Sequence, residues 1–193
     1  LATLTPVRVT EQAQQLAGAK LHLGDIALDG TAGKGRDTAF LAQKVGPTGH
    51  VHSFDIQPEA IRATENLLQL AGLQTQVTLH TRSHAEIATT LPAAHRGQLS
   101  AAIFNLGYLP GGNEKIITLP ESTAQALQAT YQNLKPGGRL VVVVYTGHDG
   151  GKLEEAVVRQ FADKCLRDGA QVEHLGKSDF TVKPWILTVD RPA

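Results

Sequence analysis

Ile26-Ala27-Leu28-Asp29-Gly30-Thr31-Ala32-Gly33-Lys34-Gly35-Arg36-Asp37-Thr38 decides the fold: a short apolar run ends in a carboxylate, a glycine turn follows, and a helix begins at once. A glycine turn between a strand and a helix lets a ligand come close to the backbone, and the helix N-terminus favours negative charge. In a dinucleotide site the ligand's diphosphate takes that place. Here Asp29 closes the strand and Asp37 opens the helix, so two carboxylates are expected to face the ligand and to repel a diphosphate. Thr38 also stands where the third glycine of a G-x-G-x-x-G fingerprint belongs.

A cofactor that carries an ammonium and a sulfonium and no phosphate reverses the sign of that interaction, so S-adenosylmethionine is the expected ligand. The next apolar run, His50-Val51-His52-Ser53-Phe54-Asp55, alternates and ends in an acid, about 20 residues after the glycines, where a carboxylate accepts both ribose hydroxyls.

Further out, strand-like and helix-like stretches alternate along the chain, the pattern of a parallel sheet covered by helices on both faces. After a first helix near Val9 to Ala17, strands are expected at 25–29, 50–55, 76–80, 99–104, 139–145, 170–176 and 184–190. Helices are expected near 36–45, 58–71, 84–91, 120–133 and 151–168. Lys135-Pro136-Gly137-Gly138-Arg139 before Leu140 to Val144 reads as a helix stop, a turn and a buried strand. Residues around His174 and Trp185 look like a terminal antiparallel hairpin. The whole is expected to be one α/β domain over 1–193: an N-terminal helical segment (1–20), a cofactor and acceptor region (25–150), and a terminal helix and hairpin (151–193).

Composition narrows the classes. The 193 residues, 41% hydrophobic and 19% charged, suit one domain with a sizeable core. Lys plus Arg equals Asp plus Glu at 18 each, so no global positive field draws in nucleic acid, and any such contact needs a local patch. Cys165 is the one cysteine, which excludes an internal disulfide and a cysteine metal cluster and fits a reducing compartment. No apolar run suggests a membrane span. The chain begins at Leu1 and contains no methionine; the cytoplasm is the expected location, with an organelle left open.

A second motif follows the fourth strand. Asn105-Leu106-Gly107-Tyr108-Leu109-Pro110-Gly111-Gly112 falls at the carboxyl edge, where open sheets bind ligands. Amino-methyltransferases often carry N/D-P-P-Y/F at this point. Asn105 and Tyr108 match its outer positions, while Leu106 and Gly107 depart from the inner prolines. An asparagine is no base, but its carbonyl orients an N–H and leaves the nitrogen lone pair aimed at the methyl carbon, and alignment of that kind supplies several kcal/mol of a displacement barrier. The bland alternative is a rigid Pro-Gly turn capped by Asn105.

Two further stretches reach the same edge: Thr81-Arg82-Ser83-His84 and Tyr145-Thr146-Gly147-His148. Either His84 or His148 has the ordinary pKa to take a proton from an alkylammonium or to hydrogen-bond the substrate. The structural alternative makes Ser83 a helix cap and 147–151 a flexible turn. His50 and His52 are read as pointing to alternate faces of a strand, and His22, His80, His95 and His174 lack partners at metal-ligand spacing. No metal is expected.

Together D-G-T-A-G-K-G-R-D-T, F-D-I-Q, R-S-H, N-L-G-Y-L-P-G-G and Y-T-G-H, in order over residues 29 to 148, closely resemble the MnmM (YtqB-like) family of tRNA methyltransferases, once described as rRNA methylases. N-L-G-Y-L-P-G-G is the most specific match. The resemblance implies a Rossmann-like class I methyltransferase, with a seven-stranded, mostly parallel sheet and an antiparallel C-terminal strand. It implies S-adenosylmethionine as methyl donor and, as acceptor, the 5-aminomethyl group of a wobble uridine in the tRNA anticodon loop.

Residue by residue, the resemblance places Asp29, Thr31, Gly33, Gly35, Asp37 and Thr38 at the methionine end. Asp55, Ile56 and Gln57 fall at the ribose and adenine, and Ser83 and His84 on the adenine side. Asn105 and Leu106 also border the cofactor, and with Tyr108, Tyr145 and His148 they shape the acceptor pocket, with Asn105, Tyr108 and His148 the catalytic candidates. RNA is expected to be gripped by local charges, Lys34 and Arg36 first, with Arg82, Lys115 and Lys152, and a homodimer is implied. Two positions depart from the family pattern: Lys34 puts a cation in the glycine loop, and Lys183-Pro184-Trp185 differs from a Pro-Pro-aromatic end. The rival classes are a methyltransferase of rRNA or of a small amine, an NAD-dependent oxidoreductase, and a noncatalytic RNA-binding module.

Overall fold

Ile26–Asp29 forms β1, and every residue after the first is buried; a strand with no polar face belongs in the middle of a sheet. The computed structural model describes residues 8–107, 117–147, 150–176 and 184–193, and there β1 is central. It pairs in parallel with β2 (His50–Asp55) on one side and β4 (Leu99–Asn105) on the other. With β3 (Val77–Thr81), β5 (Leu134–Val144), β6 (Gln171–Leu175) and β7 (Trp185–Asp190), the seven strands run in the order β3-β2-β1-β4-β5-β7-β6. Only β7 is antiparallel, against both β5 and β6. The order reverses between β1 and β4, so the connections leave in opposite directions and a crevice opens at the carboxyl ends.

Alternation along the strands feeds two cores. Ala27, Val51, Ala101, Ile103, Val141 and Val143 pack under α1 (Val9–Gly18) and α2 (Arg36–Val45), through Ala13, Ala17, Leu41, Ala42 and Val45. α3 (Pro58–Ala71) lies against α2, β2 and β3. On the opposite face Leu28, Phe54, Ala102, Phe104 and Val142 meet α4 (Ile87–Thr90), α5 (Pro120–Asn133) and α6 (Gly151–Arg167). Phe54 and Phe104 are wholly buried, each stabilising the fold by roughly 1.5–3 kcal/mol.

Three local expectations change. Residues 84–91 are not one helix but a 3-10 turn at His84–Glu86 followed by the single turn α4. The Ser83 hydroxyl accepts the Ala85 N–H at 3.2 Å and starts the turn, while Thr89 donates to the Glu86 carbonyl at 3.0 Å and Pro92 stops it. β5 begins at Leu134 rather than 139: Leu99 pairs with Leu134 and Ala101 with Arg139, so the lysine-proline-glycine segment bulges out of the strand.

The third change concerns the histidines. His50 and His52 share a face, because residues two apart in a strand point the same way. The Nδ1 of His52 lies 3.2 Å from Nε2 of His80, and its Nε2 lies 2.8 Å from Nδ1 of His95. His50 bonds to the Thr78 hydroxyl at 2.8 Å, and His80 stacks on Phe54. Both nitrogens of His52 are therefore satisfied, and no buried nitrogen of the four imidazoles lacks a partner. Among the described residues no group of three or more His, Cys, Asp or Glu side chains is arranged to hold a metal.

Candidate active site

At the crevice between β1 and β4 lies a cavity of about 800 Å³, within the size range of ligand and cofactor sites. Its floor is the turn after β1. The Gly30 N–H donates to the Ile103 carbonyl at 2.9 Å and the Ala32 N–H to the Phe54 carbonyl at 2.8 Å, so the turn is stitched to both neighbouring strands. Gly30 has no room for a side chain: a Cβ there meets the Phe104 ring at 2.1 Å. Gly35 caps α2 in the left-handed region at φ 79°, and a Cβ there meets the Thr64 backbone at 2.8 Å. Only glycine serves at both.

The carboxylates are arranged differently from the sequence expectation. Asp29 does not line the cavity; it is fully buried, accepting the Thr31 N–H at 3.0 Å and the Thr38 hydroxyl at 2.6 Å. Thr38 also lies 2.8 Å from the Ser53 hydroxyl. Asp29, Thr38 and Gly35 thus stand behind the turn and hold its shape. The two acids at the cavity are Asp37 and Asp55. Asp55 accepts the N–H groups of Gly33 and Gln57, both at 2.9 Å. Asp37 accepts the Gln14 amide at 2.7 Å and the Asn105 amide at 2.5 Å.

Burial raises all three carboxyls above their ordinary pKa. Asp29 is pushed up to about 7, by burial first and then by the charge of Asp37, against the hydrogen bonds from Thr38 and Thr31. Burial raises Asp37 against its bonds to Gln14 and Asn105 and the charge of Arg36. For Asp55 burial outweighs the N–H groups of Gln57 and Gly33. Three acids short of water are a site that gains from a cation.

Asn105 completes the wall. Its backbone N–H donates to the Thr31 hydroxyl at 2.7 Å, tying β4 to the turn. Because a carboxylate only accepts, the Asn105 NH2 group faces Asp37, which fixes the amide; its Oδ1 is then buried without any partner. Gln57, also at the cavity, has a buried Oε1 with none either. Buried acceptors with no donor are costly in a folded chain, and here both belong to cavity residues.

Thr31, Gly33, Lys34, Arg36, Ile56, Ser83, His84, Leu106 and Tyr145 also line the cavity, with Lys34 and Arg36 exposed. His84 is buried, its Nδ1 3.3 Å from the Gly30 carbonyl and its Nε2 3.2 Å from the Ser122 hydroxyl, so it braces the turn against α5. Burial lowers its pKa. Arg82 lines the cavity and pairs with Glu86 at 3.2 Å; Lys152 lies on α6, away from it. Tyr108, His148, Lys115 and Lys183 fall outside the described residues. Sequence reasoning missed Thr10 and Gln14 of α1 and the Ile117–Leu119 segment with Ser122, all at the cavity. No local motif marks them, since only tertiary packing brings them there.

A family model described as "Putative rRNA methylase" matches residues 51–189. The chain belongs to that family. Among curated proteins the chain is similar to "tRNA (mnm(5)s(2)U34)-methyltransferase, chloroplastic" of Arabidopsis thaliana, 40% identical over 162 residues, which cover 80% of this chain and 58% of that protein. The chain therefore spans under two thirds of that relative's length. A "putative rRNA-methylase" from Clostridium thermocellum has the same fold at a TM-score of 0.89 and 34% identity, covering 97% of this chain and 99% of the other. SMU.1697c from Streptococcus mutans, described as "a putative methyltransferase" and solved in complex with SAH, aligns at a TM-score of 0.83 and 28% identity over 96% and 99% of the two chains. Both solved structures therefore share the fold described above over nearly their whole length.

Proposed function

We propose that this chain is an S-adenosylmethionine-dependent N-methyltransferase that methylates the 5-aminomethyl group of a tRNA wobble uridine. The unpartnered Asn105 Oδ1 carries the proposal. S-adenosylmethionine supplies a methyl group already activated on a sulfonium, so the chain's task is to bind, orient and keep an amine neutral. Asp37 and Asp55 offer carboxylates to a cationic ligand and, with Asp29 buried behind them, make the site hostile to a diphosphate. Asp55 and Gln57 serve the ribose and adenine. Gln14 and Asn105 hold Asp37, and the same contact leaves Asn105 Oδ1 to accept one N–H of the incoming amine. Its lone pair is then aimed, and orientation of this kind supplies several kcal/mol of the barrier.

Tyr108, Tyr145 and His148 shape the acceptor side in this proposal. Exposed Lys34 and Arg36 at the cavity mouth meet the anticodon-loop phosphates, and a homodimer widens that surface. The Arabidopsis relative's name supports tRNA over rRNA as the acceptor. No helix among the described residues is long and apolar enough to cross a membrane, and the expected setting is the cytoplasm or an organelle interior that holds tRNA.

The test is methylation of total tRNA from cells lacking the modification, by the purified chain with S-adenosylmethionine, read by mass spectrometry of the nucleosides. A gain of one methyl on 5-aminomethyl uridines is expected. Methylation of rRNA alone, or of free amines alone, overturns the tRNA assignment. Size-exclusion chromatography with light scattering checks the dimer.

A further inference from the structure

Glu154 is a carboxylate that the proposed reaction does not use, and it is 1% exposed. It lies in the first turn of α6, where the helix dipole favours a negative charge, and among the described residues it forms no ion pair. Its two oxygens are spent on hydroxyls. Oε1 accepts from Thr123 of α5 at 2.5 Å, and Oε2 accepts from Thr118 at 2.8 Å. The Thr118 hydroxyl, having given its proton to Glu154, accepts the Gly107 N–H at 2.8 Å. The Thr118 N–H in turn donates to the Gly107 carbonyl at 2.8 Å. Gly107 has φ 138°, a backbone state that side-chain-bearing residues avoid.

We propose that Glu154 is a positioning residue: by setting the direction of the Thr118 hydroxyl it fixes Gly107, and through it the Asn105–Gly107 wall of the acceptor side. The acceptor half of this statement rests on the function proposed above; the clamp itself does not. Carboxylate chemistry is required because both hydroxyls must donate inward. A glutamine presents one acceptor and one donor, so one hydroxyl turns round and its proton loses its partner. The same α6 turn packs on the end of β5, where a Cβ on Gly151 meets the Tyr145 carbonyl at 2.9 Å. Through Thr118, Glu154 is thus linked to Gly107, two residues beyond Asn105.

Thr118→Val keeps the shape and removes the hydroxyl, and Thr123→Val removes only the bond to α5. In the full chain without substrates, Thr118→Val is expected to speed amide hydrogen exchange at Gly107 by about tenfold, the loss of one half-buried hydrogen bond. Thr123→Val lowers Tm but leaves that amide as it was. With tRNA as acceptor, Thr118→Val and Glu154→Gln are expected to lower kcat/KM for the RNA by about tenfold while SAH affinity stays within about twofold, and Thr118→Ser recovers most of the loss. Unchanged exchange at Gly107 in Thr118→Val, or the same acceleration in Thr123→Val, overturns the clamp. Loss of SAH affinity in parallel with kcat/KM also overturns it, since the effect is then on the whole site. A wild-type chain inactive on tRNA, with the exchange pattern as stated, removes the acceptor proposal and supports the clamp alone.

Discussion

Asp29 and Asp37 lie buried and Asp55 half-buried at the carboxyl edge of the sheet, and His50, His52, His80 and His95 lie buried or half-buried beside β2. Both clusters hide like groups from water, and burial shifts each toward its neutral form: the carboxyls rise and His50, His52 and His80 fall. They differ in what remains unpaired. His52 bonds to His80 and His95, and His50 to Thr78, so no buried nitrogen of that cluster is left without a partner. The acids sit beside an open cavity whose residues Asn105 and Gln57 keep acceptors with no donor. A cluster closed on itself is architecture, whereas one left incomplete beside a cavity is a site.

The largest expected effect breaks the incomplete cluster. Asn105→Ala removes the orienting carbonyl and one of the two amides on Asp37. We expect kcat to fall by about a hundredfold or more, the scale of a misaligned nucleophile, with SAH affinity changed by only a few-fold. Full turnover in a steady-state assay contradicts the orienting role. Asp55→Ala acts on binding instead. Losing hydrogen bonds to a charged acceptor costs about 1.5–3 kcal/mol, so calorimetry is expected to show SAH bound roughly ten- to a hundredfold more weakly.

The closed cluster makes the opposite kind of prediction. His52 is held to about 3, by burial first and then by the neighbouring His50, His80 and His95, while Arg82 adds positive charge beside His80. Its folded pKa lies below the ordinary 6.5, so its contribution to stability is complete above that value and is lost as pH falls toward 3. At pH 5 the loss is about 2 kcal/mol. His52→Gln abolishes this part of the profile, and the difference between the wild-type and variant denaturation curves at pH 7 and pH 5 measures it. Activity at neutral pH serves as the contrast, since no cavity residue is touched.

How much of this the sequence announces follows from range. The β1 turn, the acid at the end of β2 and the Asn105 motif are local patterns, and their elements are where the patterns put them. Asp29 stands at a strand end as the pattern predicts, but the direction of its side chain depends on Thr31 and Thr38, each bonding a different one of its oxygens, and periodicity carries no such information. Gln14 reaches Asp37 across 23 residues, Thr118 reaches Glu154 across 36, and His52 reaches His95 across 43. Such pairs follow from helix packing and strand register, and one sequence shows neither. The histidine error was local all the same: residues two apart on a strand share a face.

The smallest effect sharpens the comparison most, because it asks whether the acids feel a cation. In the ligand-free chain Asp29 sits at about 7, above its ordinary 3.8, so the fold prefers it protonated, and its contribution to stability is lost as pH rises through 7. A cationic ligand beside Asp37 and Asp55 favours the ionised forms and draws these pKa values down. Binding therefore releases protons, and affinity must fall as pH drops below the free-state values. Between pH 8 and pH 6 the expected loss in S-adenosylmethionine affinity is about fivefold to tenfold, within the limit of tenfold per pH unit per proton. Asp29→Asn flattens that slope while retaining a side-chain acceptor for the Thr38 hydroxyl. A neutral thioether such as SAH keeps its ammonium but lacks the sulfonium, so its slope is shallower than that of the donor. Equal slopes for the two ligands in calorimetry assign the proton release to the ammonium alone, and no slope for either removes the acids from ligand selection and leaves them, like the imidazoles, as packing.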